Sequence, residues 1–445
     1  MKQRGLKRHT AQLALRSLFL LCLIGFFLRD LSSVEFHGDE SDFILSSVYF
    51  KYFFLDRDFN HPAWKGNYWV VTQPPLTRYI IGLSWWITGH DSSELPRHPW
   101  DFGKDEQYNI KRGAMPSKST LLTARAAMAI LTSFTCFIVY LIGERVKGWK
   151  AGLFSSLSLI ANPRLQQLGR RAMGDSPLLF FLALSMLIAM NFVDVFRTHK
   201  RFESKRAILW AVILGITIGL ATATKLNGAL AGISFAIVCV WLVALHLISL
   251  CSPVNGVAGF VQISVAGRKT STTLCCLFIA GLMAVTIFIL INPFFYEKPL
   301  EAAIAMINHR IDVAHMQQEA YVDQALYTIS QRLCAVIRET FYAGGTFYLT
   351  FHVPFDLALA VIGFIILLYT EAKEVSQERQ STAKAVLISW IVVFFGATIL
   401  FVPLEWPRYF LPLQLCSSVL VGFAIGSGLD RLMALHLGAV HQGFR

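Results

Sequence analysis

Uninterrupted apolar stretches decide what this chain can fold into. Residues 126–143, 176–193, 207–224, 270–296, 385–404 and 409–429 contain no Asp, Glu, Lys or Arg, and the charge-free stretch 226–267 is longer than one membrane crossing needs. A helix that spans a bilayer requires about 20 mostly apolar residues, because hydrocarbon offers its backbone amides no water to bond. Hydrophobic residues make up 55% of the chain and its mean hydropathy is +0.52, in keeping with that reading. The expected class is an all-α polytopic membrane protein. Residues 11–28, interrupted by Arg16, residues 149–165, and residues 353–370, which carry Asp356, complete an expected set of about ten transmembrane helices.

The formal net charge of +12 is spread over loops and does not gather into one stripe, which excludes a nucleic-acid reading and favours the positive-inside rule. Lys2, Arg4, Lys7 and Arg8 precede the first apolar stretch, and residues 1–28 lack a small-residue cleavage site, so they read as a retained signal anchor with a cytoplasmic tail. Alternation from there places Arg145, Lys147 and Lys150 inside, followed by Arg197, Lys200, Arg201, Lys205 and Arg206, then Arg268 and Lys269, then Lys373, Arg379 and Lys384. The segments 29–118, 164–175 and 294–352 fall outside. Within them, Leu76 to Thr88 is too short to cross and is expected on the outer surface, and the aromatic run Phe43 to Leu55 suits the headgroup region. Helical spacing between Leu300 and Arg338 predicts one or two surface helices. Residues 1–445 read as a single transmembrane domain without a separate soluble domain or a repeat.

Six of the eight cysteines fall in or beside apolar stretches and Cys251 lies near a cytoplasmic end, so only Cys334 faces outward and no disulfide framework is expected. There is no CxxC pair, no HExxH and no Gly-rich loop ending in Gly-Lys-Ser/Thr, which removes the usual zinc and soluble-nucleotide readings. Asp56-Arg57-Asp58 could suggest a metal-binding acid pair, but a solvated turn accounts for it.

Charge clusters toward the outer face. Arg125, Asp175, Lys225, Asp356, Glu405 and Arg408 sit at or just inside the outer ends of the expected spans, and Asp39 and Glu40 follow the first of them. An ionised group at mid-bilayer costs about 2.5–3.5 kcal/mol on insertion scales, so such residues tend to face a polar cavity and one another. Each alone could snorkel to the interface. A transporter would place its charges nearer the midplane and break its helices there, which argues against that class. Gly215 with Gly219, Gly228 with Gly232, and Gly422 with Gly426 have the small-xxx-small spacing of closely packed membrane helices.

Several short motifs in a fixed order carry a family resemblance. Gly38-Asp39-Glu40 follows the first span, and Gln73-Pro74-Pro75-Leu76-Thr77-Arg78 resembles a His-Pro-Pro-Leu-x-Lys juxtamembrane segment. Arg171-Ala172-Met173-Gly174-Asp175-Ser176-Pro177-Leu178, Thr224-Lys225-Leu226-Asn227-Gly228 and Trp406-Pro407-Arg408-Tyr409-Phe410-Leu411-Pro412 come after them. With these the chain resembles GT-C glycosyltransferases that use polyprenyl-phosphate sugars, such as the protein O-mannosyltransferases and the lipid A aminoarabinose transferases. The resemblance implies a GT-C fold and transfer of a hexose such as mannose, or a related sugar, from a polyprenyl-phosphate-linked sugar to a hydroxyl on the extracytoplasmic side. The acceptor stays open between protein, lipid and glycan. The membrane would be a bacterial inner membrane, or the endoplasmic reticulum in a eukaryote.

By the same resemblance Asp39 would be the base, Glu40 would orient it or touch the acceptor, and Asp175 would be a second essential acid that holds sugar hydroxyls or positions a basic partner. Gly-Asp-Ser-Pro before an apolar run also makes Asp175 a helix start. Arg78 takes the place of the family lysine as phosphate ligand, with Lys225 and Arg408 as further donor-phosphate ligands or interfacial anchors. For Arg310 a solvated helix face is expected. No cofactor and no divalent metal are implied, since one base and fixed cations suffice for a single inverting displacement. Gln73 departs from the usual histidine. A non-catalytic lipid-sugar binding or assembly subunit of the same fold is the alternative.

Overall fold

The computed structural model describes residues 2–197, 203–250, 257–343, 345, 353–378 and 382–443. Among them the chain is helical, with one isolated antiparallel bridge between Ala325 and Leu404. Among the described residues nine helices are long and apolar enough to cross a membrane: residues 10–33, 118–147, 175–196, 204–224, 226–248, 265–290, 355–377, 383–401 and 407–436. In chain order the membrane helices are α1 (Lys2–Leu28), α6 (Lys118–Lys147), α9 (Asp175–Arg197), α10 (Ser204–Thr224), α11 (Leu230–Leu250), α12 (Val257–Leu290), α15 (Phe355–Glu378), α16 (Ala383–Phe401) and α17 (Pro407–Gly443). The expected crossing at 149–165 is divided into α7 (Trp149–Ile160) and α8 (Pro163–Leu168). Pro163 cannot continue the preceding helix, and the Asn162 side chain caps the new one by accepting from Leu165 N at 2.8 Å. At 12 residues α7 is too short to span alone, yet α6 ends and α9 begins on opposite faces, so α7, α8 and the turn after them make the return together.

Ion pairs mark the two faces. At one end Arg16 meets Glu144 at 2.7 Å, Arg145 meets Asp194 at 2.5 Å and Lys150 meets Asp430 at 2.8 Å. At the other lie Glu40–Arg125, Asp175–Lys225, Asp39–Arg408 and Arg338–Glu405. Between them a continuous apolar core runs through α6, α9, α10, α11, α16 and α17, with Met186, Phe192, Phe235, Trp390 and Phe423 among its buried members. The small-residue spacing is used where helices approach closely. A Cβ on Gly422 of α17 would come within 2.6 Å of the Ala151 carbonyl of α7, and one on Gly219 of α10 within 2.7 Å of the Ala284 carbonyl of α12.

The long loop after α1 folds over the ends of these helices that lie opposite the Arg16–Glu144 and Arg145–Asp194 pairs. It contains α2 (Gly38–Leu45), α3 (Tyr68–Thr72), α4 (Leu76–Ile87) and α5 (Glu106–Lys111), and its own apolar cluster joins Ile44, Tyr49, Phe50, Trp64, Tyr79, Ile81 and Trp85 to Met128 and Met173. The segments expected at the interface therefore do form helices; α4 buries Arg78, Tyr79 and Ile81 against protein and leaves Leu83, Trp86 and Ile87 exposed. On the far side of the site, α13 (Pro299–Ala320) and α14 (Ile329–Ile337) supply the two helices expected between 300 and 338.

Candidate active site

A capping box sets the two adjacent acids in different directions. The His37 ring accepts from Asp39 N at 3.2 Å while the Glu40 carboxylate accepts from His37 N at 3.1 Å, so α2 starts at a fixed point. Gly38 is required there, because a Cβ would stand 2.7 Å from the Trp100 indole nitrogen. Glu40 turns inward and is fully buried. It takes two hydrogen bonds from Arg125, at 2.8 and 2.7 Å, and one from Ala172 N at 2.9 Å. Arg125 also donates to the Leu31 and Val34 carbonyls. Glu40, expected to orient the base or touch the acceptor, ties α2 to α6 and to the turn before α9, and its oxygens accept from protein donors. Asp39, one residue earlier, faces a cavity.

Asp39 is half-buried, accepts a hydrogen bond from Arg408 Nη1 and lies 3.7 Å from His37 Nδ1. Burial pushes its pKa upward, but the charges of Arg408 and His37 and the Arg408 hydrogen bond prevail, and the carboxyl titrates below its usual range. Burial lowers the His37 pKa, against the nearby Asp39 charge. Asp175 stands at the start of α9, as its Gly-Asp-Ser-Pro context implies, with Oδ1 on Lys225 at 2.5 Å and Oδ2 buried without a hydrogen-bond partner. The ion pair holds the Lys225 ammonium against the start of α9.

Arg78 is buried on α4. Its Nε donates to Ser46 Oγ at 3.0 Å and its Nη1 to the Gln73 carbonyl at 2.9 Å, with the Tyr49 and Trp69 rings 5.8 and 6.0 Å from the guanidinium carbon. Burial pushes its pKa down to about 10, which leaves it cationic at neutral pH. Gln73, where the resemblance has histidine, thus serves through its backbone.

Asp39, Gln73, Arg78, Lys225 and Arg408 line one cavity of about 490 Å³, whereas Glu40 and Asp175 stand behind its wall. Four cations line it: Arg78 from α4, Lys225 between α10 and α11, Arg310 from α13 and Arg408 from α17, together with the acids Asp39 and Asp42. Two of the cations are neutralised, Arg408 by Asp39 and Lys225 by Asp175. Arg78 and Arg310 have no carboxylate at ion-pair distance among the described residues. Sequence reasoning placed Arg310 on a solvated face; the structure puts it in the cavity wall. The available signal was its position on the helical stripe of Met306, Val313 and Gln317, of which Met306 and Val313 are buried, and the adjacent His309, 3.0 Å from Thr72, docks α13 against α3. Asp42, also unforeseen, lies one turn beyond Asp39 on α2. The Asp56–Asp58 segment is an exposed turn, and no group of three potential metal-ligating side chains occurs among the described residues.

A family model described as dolichyl-phosphate-mannose-protein mannosyltransferase matches residues 48–297, more than half of the chain and a range that contains Arg78, Asp175 and Lys225. The chain belongs to this family. It is 27% identical over 187 residues to dolichyl-phosphate-mannose–protein mannosyltransferase 3 of Saccharomyces cerevisiae, a match covering 38% of this chain and 22% of the relative. It is 24% identical over 178 residues to dolichyl-phosphate-mannose–protein mannosyltransferase 2 of Candida albicans, covering 40% of this chain and 20% of that one. The alignments thus span less than a quarter of these relatives' length. The structure of ArnT from Cupriavidus metallidurans in the apo state superposes with a TM-score of 0.50 at 14% identity, covering 97% of this chain and 64% of that one. The fold is that of the GT-C glycosyltransferases.

Proposed function

We propose that this member of the family transfers a sugar, mannose by the family's description, from a polyprenyl-phosphate carrier to an acceptor hydroxyl at the outer membrane face. The observation that carries this reading is a cavity in which the carboxylate of Asp39 shares the wall with four cations, two of them without a carboxylate partner among the described residues. An anionic donor is what such a wall attracts, and a base facing the same space is what a hydroxyl acceptor requires.

The acceptor hydroxyl gives its proton to Asp39 as its oxygen bonds to the anomeric carbon. The bond from that carbon to the phosphate oxygen breaks, and its electron pair leaves on the phosphate. Arg78 and Arg310 hold the phosphate from the start, and Arg408, touching the base and lining the same cavity, follows the negative charge across as it develops. One displacement inverts the anomeric centre. Written this way the step needs no metal, because fixed guanidinium and ammonium groups provide the positive charge. The loop after α1 supplies Asp39 and Arg78 to the site and α13 supplies Arg310, while Lys225 and Arg408 come from the ends of the membrane helices.

Transfer assayed with the purified full chain in liposomes containing dolichyl-phosphate mannose tests the reading. Asp39→Asn is expected to lower turnover by roughly 10²–10⁴-fold, the usual contribution of a positioned base, while donor binding persists. Undiminished turnover in that variant removes Asp39 as base, and a wild-type chain that binds donor without ever turning it over removes the transferase reading.

A further inference from the structure

Asp42 is a cavity carboxyl to which the transfer step above gives no task. It follows Asp39 by one helical turn, so the two share a face of α2, and both line the cavity. Its Oδ1 accepts from Trp100 N at 2.8 Å, which fixes the side chain and leaves Oδ2 without a protein partner among the described residues. Burial raises its pKa to about 7, with Asp39 acting in the same direction and the Trp100 N–H and Arg78 against it. Near neutral pH the group can therefore both donate and accept.

Its place along the wall indicates what it meets. Asp39, Asp42 and Ser46 form a stripe that begins at the proposed base and ends at the hydroxyl holding Arg78. In the reaction proposed above, on which this inference rests, the phosphate sits at Arg78 and the acceptor oxygen at Asp39. What lies between those two points is the sugar being moved, because its anomeric carbon is bonded to one and attacked by the other. We infer that Asp42 hydrogen-bonds a hydroxyl of the donor sugar and so contributes to the choice of which sugar is transferred. A bare polyprenyl phosphate would not reach it.

The test compares binding of dolichyl phosphate, dolichyl-phosphate mannose and its singly deoxygenated analogues to the full chain, wild type, Asp42→Ala and Asp42→Asn. Dolichyl phosphate should bind all three proteins within about twofold, which also reports that the variants are folded. The preference for the sugar-bearing lipid should fall about tenfold or more in Asp42→Ala, the scale of one hydrogen bond in a desolvated site, and by less in Asp42→Asn. One deoxy analogue should bind wild type about as weakly as the parent donor binds Asp42→Ala, with no further loss when variant and analogue are combined. Equal weakening for bare and sugar-bearing lipid, or a deoxy penalty that persists in Asp42→Ala, overturns the inference. Because binding is read without turnover, a failure of the transferase reading appears separately, as a wild type that binds the sugar and does not transfer it.

Discussion

At the scale of single residues, adjacency in sequence was a poor guide to role. Asp39 and Glu40 are neighbours, yet a helix rotates consecutive side chains by about 100°, so one reaches the cavity and the other the protein interior. Glu40→Gln keeps the shape and removes the charge that compensates Arg125, a residue itself buried. An uncompensated buried charge costs about 3–5 kcal/mol, so thermal unfolding in detergent should occur several degrees lower than in wild type. Whatever activity is lost should recover when the assay is run well below the new midpoint. A variant as stable as wild type but inactive would return Glu40 to the chemistry. The motifs made Asp39 and Arg78 legible because short segments with Pro and Gly fix their own backbone. The strut made by Glu40 was not legible, because its partners lie 85 and 132 positions away.

At the scale of elements, most of the architecture follows from apolar length, and the exceptions have local causes. Residues 149–165 read as one crossing because nothing in their hydropathy registers the Asn162–Pro163 break, although Pro163 itself pointed there. α13 read as a solvated helix because its polar residues outnumber the buried Ala302, Met306 and Val313, and the stripe that docks it is narrow. That docking brings Arg310, a residue without a carboxylate partner among those described, to the wall of the cavity that Arg78 also lines. Arg310→Ala should raise the KM for dolichyl-phosphate mannose by about tenfold or more, the loss of one charged contact to phosphate, while the unfolding temperature changes little because the side chain is half-buried. An unchanged KM together with wild-type stability would leave α13 as a structural cover.

At the scale of the whole molecule, the argument turns on which membrane face carries the cavity. Every pair of charges that lines or braces it, from Glu40–Arg125 to Asp39–Arg408, lies at the end of the bundle opposite Arg16–Glu144 and Arg145–Asp194. The basic loops that the positive-inside rule holds in the cytoplasm belong to that second end, and the proposal of an outer-face cavity rests on that rule. Two exposed positions report this directly: Ser93, in the long loop that folds over the site, and Glu203, just before α10 at the basic end. In sealed vesicles of known orientation, with the exposed native cysteines replaced, Ser93→Cys should react with a membrane-impermeant maleimide only from outside and Glu203→Cys only from the cytoplasmic side. The reverse pattern would put Asp39 on the face where nucleotide sugars are found, and the donor would have to be sought there.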